Sequence, residues 1–194
     1  MIIADKQSNL IIRPLRRDDR DRLFCAVSES KNDISPWMSW CHDNYSIQDA
    51  DEWISCCQEN WALEKGDREF AVFDMTDFGL VGCVGINQIN HVNRFANLGY
   101  WVRSTRKNAG LASAMARLAA RFAIENLELV RLEIVVRQEN LASRRVAEKI
   151  GAQFECNARN RLIYKGKPYD AALYSLLPDN LVNDRVAYPI DKDD

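Results

Sequence analysis

The apolar positions of this chain change period several times, and those changes mark its elements. Asn9 to Arg13 carries branched apolar residues in the alternation of a strand. Asp18 and Asp19 then precede Leu23, Phe24 and Val27, spaced for a helix with an acidic first turn. Ser46 to Asp49 has the form of a capping box, followed by Ala50, Trp53, Ile54, Cys57 and Trp61 at helical spacing, with Gly66 as the expected stop. The period then shortens. Glu69 to Met75, Leu80 to Asn90 and Arg94 to Arg103 read as three consecutive strands, the first two joined through a turn at residues 76–79. Ala112 to Glu125 is rich in Ala, Leu, Met and Arg and reads as a helix, and Leu132 to Val136 as a short apolar strand. Asn140 is placed to cap another helix that stops at Gly151. Phe154 to Asn160 and Tyr169 to Leu177 read as an antiparallel pair around Lys165 and Gly166.

The expected order is strand, two helices, three strands, helix, strand, helix, two strands. It defines an α/β (α+β) fold with a mixed sheet, distinct from the regular alternation of a doubly wound dinucleotide fold. One domain over residues 1–178 is expected, with a polar, loosely held tail over 179–194 that ends in Asp-Lys-Asp-Asp.

Composition narrows the classes. Hydrophobic residues make up 47% and charged residues 28%, the balance of a globular chain. A net charge of −2 provides no general field for nucleic acid or an anionic surface. Asp5, Lys6, Gln7 and Ser8 interrupt the first ten residues, so no export leader is expected, and no apolar run is long enough to span a bilayer. Six cysteines without a CxxC pair and two histidines offer little to a metal, so no metal site is expected. Reduced, mostly buried thiols in a cytoplasmic protein are the simplest reading.

Residues 101–113 carry the chemistry. There a strand passes through Arg103, Arg106 and Lys107 into a helix start at Gly110. A helix N-terminus offers unpaired N–H groups and the positive end of its dipole, and glycine lets backbone approach an anion. A pyrophosphate would suit these groups. The segment lacks the GK[ST] of a P-loop and the glycine pattern of GxGxxG.

Lys107, Asn108, Ala109, Gly110, Leu111 and Ala112 resemble the Q/R-x-x-G-x-G/A motif of the GNAT acetyltransferases, with Lys in place of Gln or Arg. Leu98 to Val102 resembles the "IGYWL" strand of the subgroup that contains the ribosomal-protein N-terminal acetyltransferases RimL and RimJ. Asn140, Ser143, Val146, Glu148, Lys149 and Gly151 match that subgroup's N-x-x-S-x-x-V-x-E-K-x-G, and Trp37 and Trp40 its W-x-x-W loop. The resemblance runs over about residues 8–178 in the family's order.

The resemblance implies a GNAT fold whose mostly antiparallel sheet splays between its central strands, with helices on both faces, and acetyl-CoA as acetyl donor. The pantetheine arm would meet the backbone of Trp101, Val102 and Arg103. Lys107, Asn108, Ala109, Gly110, Leu111, Ala112 and Ser113 would hold the pyrophosphate, and Asn140 would contact the pantetheine besides capping its helix. The family's usual strand glutamate falls on Asn97 and its usual tyrosine acid on Ala147, so both are absent; Ser143 matches the serine of RimL-type enzymes. Tyr164, Tyr169 and Asp170 lie on the last hairpin, where the family places acceptor contacts; the tyrosines serve either there or in packing, and Asp170 is either a base or a turn-flanking acid. Trp37 and Trp40 either wall the acceptor pocket or pack. His91 reads as solvated.

An α-amine of pKa near 7.8 is about a quarter neutral at pH 7.4, a lysine about 0.1%. A site without the strand glutamate therefore suits the N-terminal α-amine of a protein, with a ribosome contact among the expected partners, in a monomer or homodimer. A small amine such as an antibiotic or polyamine is the alternative acceptor. A third reading is an inactive module that binds acyl-CoA or the ribosome.

Overall fold

The computed structural model describes residues 1–63 and 66–184. Twelve principal elements follow in chain order: β1 (Ile3–Asp5), β2 (Leu10–Pro14), α1 (Arg20–Ile34), α2 (Ile47–Ala62), β3 (Arg68–Asp74), β4 (Leu80–Asn90), β5 (Phe95–Val102), α3 (Leu111–Asn126), β6 (Arg131–Arg137), α4 (Leu141–Lys149), β7 (Gln153–Tyr164) and β8 (Lys167–Leu176). The strands form one sheet in the order β1-β2-β3-β4-β5-β6-β8-β7. Every pair is antiparallel except β5 and β6.

Alternation along the strands gives the sheet two apolar faces. Phe70, Val84, Leu98 and Ile134 meet Met115, Ala119 and Phe122 of α3 on one face. Ala71, Phe73, Leu80 and Cys83 meet Leu23, Val27, Ile54 and Cys57 of α1 and α2 on the other. Trp61, Phe70 and Phe122 stack edge-on within the first core, with centroids 5.1 Å apart for each pair that includes Phe70.

The local signals work as expected at most element ends. Ser46 and Asp49 form a reciprocal capping box at the start of α2. The Asn140 side chain accepts from the Ser143 N–H at 3.1 Å and caps α4. Asp77 accepts from the Gly79 N–H in the turn between β3 and β4.

Three expectations change. Helix α2 stops at Ala62, before Gly66, because the Arg68 guanidinium captures the carbonyls of Asn60, Leu63 and Gly66. The three-residue β1, whose polar neighbours hide it, pairs with β2 and extends the sheet. Residues 178–184 form a 3-10 helix whose Leu181 belongs to the core beside α3, so the first part of the expected loose tail is packed structure. The rest of that tail, from 185, lies outside the described residues.

Asp19 stands in a first helical turn, as expected, and is also buried. It takes a two-pronged contact from Arg13 at 2.6 and 2.7 Å, while Arg13 lies 4.3 Å over the Phe73 ring. Asp19 also accepts from the Arg16 N–H, which anchors the start of α1 to β2. Removing one partner of such a pair leaves a charge without compensation. Asp19→Ala should therefore cost about 3 kcal/mol or more in urea unfolding. A change below ~1 kcal/mol would show that the pair does not hold α1.

Candidate functional site

The site begins where the sheet splits. Strand β5 pairs with β6 only through Phe95, Ala96 and Asn97, opposite Arg131, Leu132 and Glu133. Beyond that point β6 continues along β8 from Ile134 to Arg137, and β5 continues along β4 from Leu98 to Val102. Two adjacent strands thus diverge, leaving one edge of β5 without a strand partner.

The backbone groups on that edge follow from the ladder. The Arg103 N–H donates to the Val81 carbonyl at 2.7 Å, so Arg103 faces β4. Successive residues of a strand point their backbone groups to opposite edges. Within the expected segment of Trp101, Val102 and Arg103, it is Val102 that faces the split, together with Tyr100 behind it. Tyr100 also spans the gap with its side chain. Its hydroxyl donates to the Ser143 carbonyl at 3.0 Å, and the Ser143 hydroxyl lies 3.3 Å from the tyrosine oxygen. Burial pushes the Tyr100 phenol up to about 12. Ala147, the position of the absent family tyrosine, is fully buried.

The chain leaves β5 through a short 3-10 turn, Ser104–Arg106, and reaches α3 through Lys107, Asn108 and Ala109. Asn108 and Gly110 both have positive φ, 64° and 76°. Gly110 is the N-cap of α3 and supplies no side-chain cap, so the first N–H groups, at Leu111, Ala112 and Ser113, face outward without an intrahelical acceptor. The Ser113 side chain is buried against the helix. A Cβ placed on Gly110 would come within 3.6 Å of the Lys149 ammonium, at the end of α4. Bare N–H donors, a helix N-terminus and one ammonium converge there. That is the chemistry a pyrophosphate requires.

The basic residues of the loop do different work from that expected. Arg103 binds Glu29 through Nε and Nη2, at 2.8 and 2.6 Å, and Lys107 binds Asp33 at 2.7 Å. Arg106 pairs with Asp74 and Asp77. Ser104 and Thr105 add hydrogen bonds to Asp33 and Glu29. The Arg103 contact holds the Glu29 carboxyl down at about 2, and Lys107 lowers that of Asp33. All three cations are therefore neutralised by carboxylates and fasten the loop to α1 and to the β3–β4 turn. A cation that does stand beside the helix start is Lys149, to which its place in a last helical turn assigns no ligand role.

A cavity of about 560 Å³ adjoins β5 on the α1 and α2 side. Its walls include Trp40, Tyr45, Trp53 and Trp101, its floor Gly99 and Asn87, and its acids Asp49, Glu52 and Glu69. Trp40 packs on Tyr45 and Trp101 with centroids 6.2 and 6.1 Å apart, so it walls this cavity while remaining partly exposed. Asn97 lies one layer behind, its amide donating to Asn87 Oδ1 at 2.9 Å.

The other acceptor candidates sit elsewhere. Trp37, Tyr164 and Tyr169 surround the Arg137 guanidinium, at 5.3, 5.1 and 4.4 Å from their ring centres. Arg137 also donates to the Pro36 carbonyl, and the Tyr164 hydroxyl to that of Ser35. Together they dock the last hairpin on the end of α1. Asp170 accepts from the Asn160 N–H across the hairpin at 2.9 Å. The cysteines are all free thiols, with Cys41, Cys57 and Cys83 buried and Cys25, Cys56 and Cys156 exposed. Among the described residues no cluster of metal-ligating side chains occurs, and no helix is long and apolar enough to cross a membrane.

A split sheet whose free strand edge leads to a bare, glycine-capped helix start defines an acyl-CoA-dependent transferase. Residues 9–153 match the family described as "Acetyltransferase (GNAT) domain", and the chain belongs to that family. A relative from Bacillus subtilis, named "Putative ribosomal N-acetyltransferase YdaF", is 28% identical and aligned over 91% of this chain and 96% of its own. A solved structure described as "a putative ribosomal-protein-serine acetyltransferase from Vibrio cholerae" is 31% identical, covers 92% of this chain and 98% of its own, and superposes with a TM-score of 0.81. The Escherichia coli spermidine N(1)-acetyltransferase is 26% identical over 80% of this chain and 79% of its own. The protein is an acetyl-CoA-dependent N-acetyltransferase.

Two substitutions test the anion site by calorimetry with CoA. Gly110→Glu should abolish binding, because a carboxylate would enter the anion site on a backbone that disfavours any side chain. Lys149→Ala should weaken binding by about tenfold, the ~1.4 kcal/mol of one charge-assisted contact. Unchanged affinity in both variants would remove the pyrophosphate from this loop.

Proposed function

We propose that the protein transfers the acetyl group of acetyl-CoA to the N-terminal α-amine of a protein, of the ribosomal-protein kind, in the cytoplasm. One observation carries this reading: an aromatic-walled, acid-lined cavity lies against the face of β5, the strand whose one edge is free. Its volume suits the end of a peptide. The names of the two most alike relatives described above support the same acceptor.

In this reading the helix start at Asn108, Ala109, Gly110, Leu111, Ala112 and Ser113 holds the pyrophosphate with Lys149. The Val102 backbone meets the pantetheine amide, and the Asn140 amide nitrogen, opposite the oxygen that caps α4, reaches the same arm. Bound acetyl-CoA supplies a thioester carbonyl with a thiol leaving group. Ser143 and Tyr100, joined across the split, supply hydroxyls at its mouth and hold a proton for the departing sulfur.

A polyamine is the second reading. Among the described residues the cavity is lined by three carboxylates and by no lysine or arginine, which also suits a polycation. Thiol release from acetyl-CoA, measured with serine- and alanine-initiated peptides and with spermidine, separates the two. Acetylation of peptides at their α-amine, with spermidine far slower, is expected. Turnover of spermidine alone would sink the protein acceptor. In the same assay Ser143→Ala should lower kcat more than acetyl-CoA affinity, and an unchanged rate would take Ser143 out of the chemistry.

A further inference from the structure

The acetyl transfer of this family requires that an acceptor ammonium lose its proton before its nitrogen attacks, and the usual strand position holds Asn97. We propose that Glu69, reaching across the sheet from β3, is the catalytic residue that takes this proton from the acceptor amine. The inference rests on the cavity being the acceptor site.

The geometry is a row across three strands. Glu69 pairs with Gly85 of β4, and Gly85 with Gly99 of β5. Both glycines leave the sheet surface bare on the α1 and α2 side. A Cβ on Gly85 would lie 2.0 Å from Glu69 Oε1, so the carboxylate occupies the space above that glycine. From there to Gly99 is one strand spacing, about 4.8 Å. An amine within hydrogen-bond reach of Glu69 therefore stands above Gly99, on the strand whose far edge opens into the split.

The carboxylate is also kept available. It is surrounded by protein yet opens onto the cavity, and the hydrogen bond it accepts from Asn87 Nδ2 is long, 3.5 Å. Asn97 holds Asn87 in place by donating to its oxygen. The charged and titratable groups around it come from each packed element. Asp67 stands beside it on the approach to β3, Cys57 and Cys56 on α2, and Cys83 on β4. Asp49 and Glu52 of α2, with His42 and Tyr45 of the preceding loop, complete the cavity wall. Burial pushes the Glu69 carboxyl up to about 7, with Asp67 adding to it and Asn87 opposing it.

The proton balance closes. The ammonium gives one proton to the Glu69 carboxylate, and the neutral nitrogen attacks the thioester carbon, forming the C–N bond. The C–S bond breaks, the Ser143–Tyr100 pair gives a proton to the thiolate to form CoA thiol and takes back the second nitrogen proton, and Glu69 returns its own proton to solvent through the cavity. The acid also selects its acceptor. Transfer from an α-ammonium near 7.8 to a carboxyl near 7 is uphill by about sixfold, and from an alkylammonium near 10.4 by about 2,500-fold.

Glu69→Gln keeps the shape and removes the charge. The kcat/KM of the wild type should rise with pH through about 7. The variant should fall by about 100-fold on the plateau and lose that rise, with calorimetric acetyl-CoA affinity unchanged. Because the folded carboxyl is raised above its unfolded value of 4.5, the wild type loses stability as pH climbs from 4.5 through 7. The variant does not, so its Tm should exceed that of the wild type by more at pH 8 than at pH 5. Equal rates and pH profiles for both proteins, on whichever of peptide or spermidine the wild type acetylates, would overturn Glu69 as the base. So would a Tm difference independent of pH, or a wild type that turns over neither. Turnover of spermidine alone would sink the peptide acceptor and not Glu69, which is then judged on spermidine.

Discussion

Backbone amide and carbonyl groups need partners, and this sheet withholds them along half of one strand. After Asn97, β5 has β4 on one side and nothing of the sheet on the other, while β6 turns to β8. A free strand edge within a folded domain is a template for an extended, amide-bearing ligand. The pantetheine arm of CoA has that character. The split also sets where everything else stands: Tyr100 and Ser143 bridge its mouth, α3 begins beside it, and the cavity lies against the strand that borders it.

Charge is distributed so that the loop is rigid and the anion site is open. Arg103, Arg106 and Lys107 lie in the segment that leads to the helix, and each is consumed by a carboxylate of another element. The loop thereby keeps two left-handed residues, Asn108 and Gly110, in the shape that aims N–H groups outward. In the proposed reading the attraction for phosphate falls to the helix start and to Lys149, which arrives from a different helix. Such division matters because an ion-paired guanidinium is poorly placed to pay twice, whereas backbone donors held in place are ready without rearrangement.

The acceptor side follows a similar logic. Asn97 leaves the usual strand position without a glutamate, yet a carboxylate does reach the cavity from β3. In the proposed reading the match between that acid and the amine, set by burial of Glu69, separates an α-amine from an alkylamine. The aromatic group around Arg137 has the opposite character. Trp37, Tyr164 and Tyr169 spend their faces on one guanidinium and tie the last hairpin to α1, so residues that look suited to recognition serve docking.

Local patterns in the chain were enough for most elements, for the capping of α2 by Ser46 and of α4 by Asn140, and for the glycine at the start of α3. Those features depend on neighbours within a few positions, where spacing and side-chain chemistry are decisive. Strand β1 and the packing of Leu181 escaped because a short segment earns its structure only from what it lies against. The partners of Arg103 and Lys107 are more than seventy residues away, Lys149 comes near Gly110 from a different helix, and Glu69 comes into line with Gly99 only through the register of β3, β4 and β5. The sequence by itself determined that a helix would start at Gly110 with no side chain to cap its first N–H groups. The tertiary structure decided that Lys149 would stand beside it and that Glu69 would open onto the cavity, because both depend on distances that only the folded sheet creates.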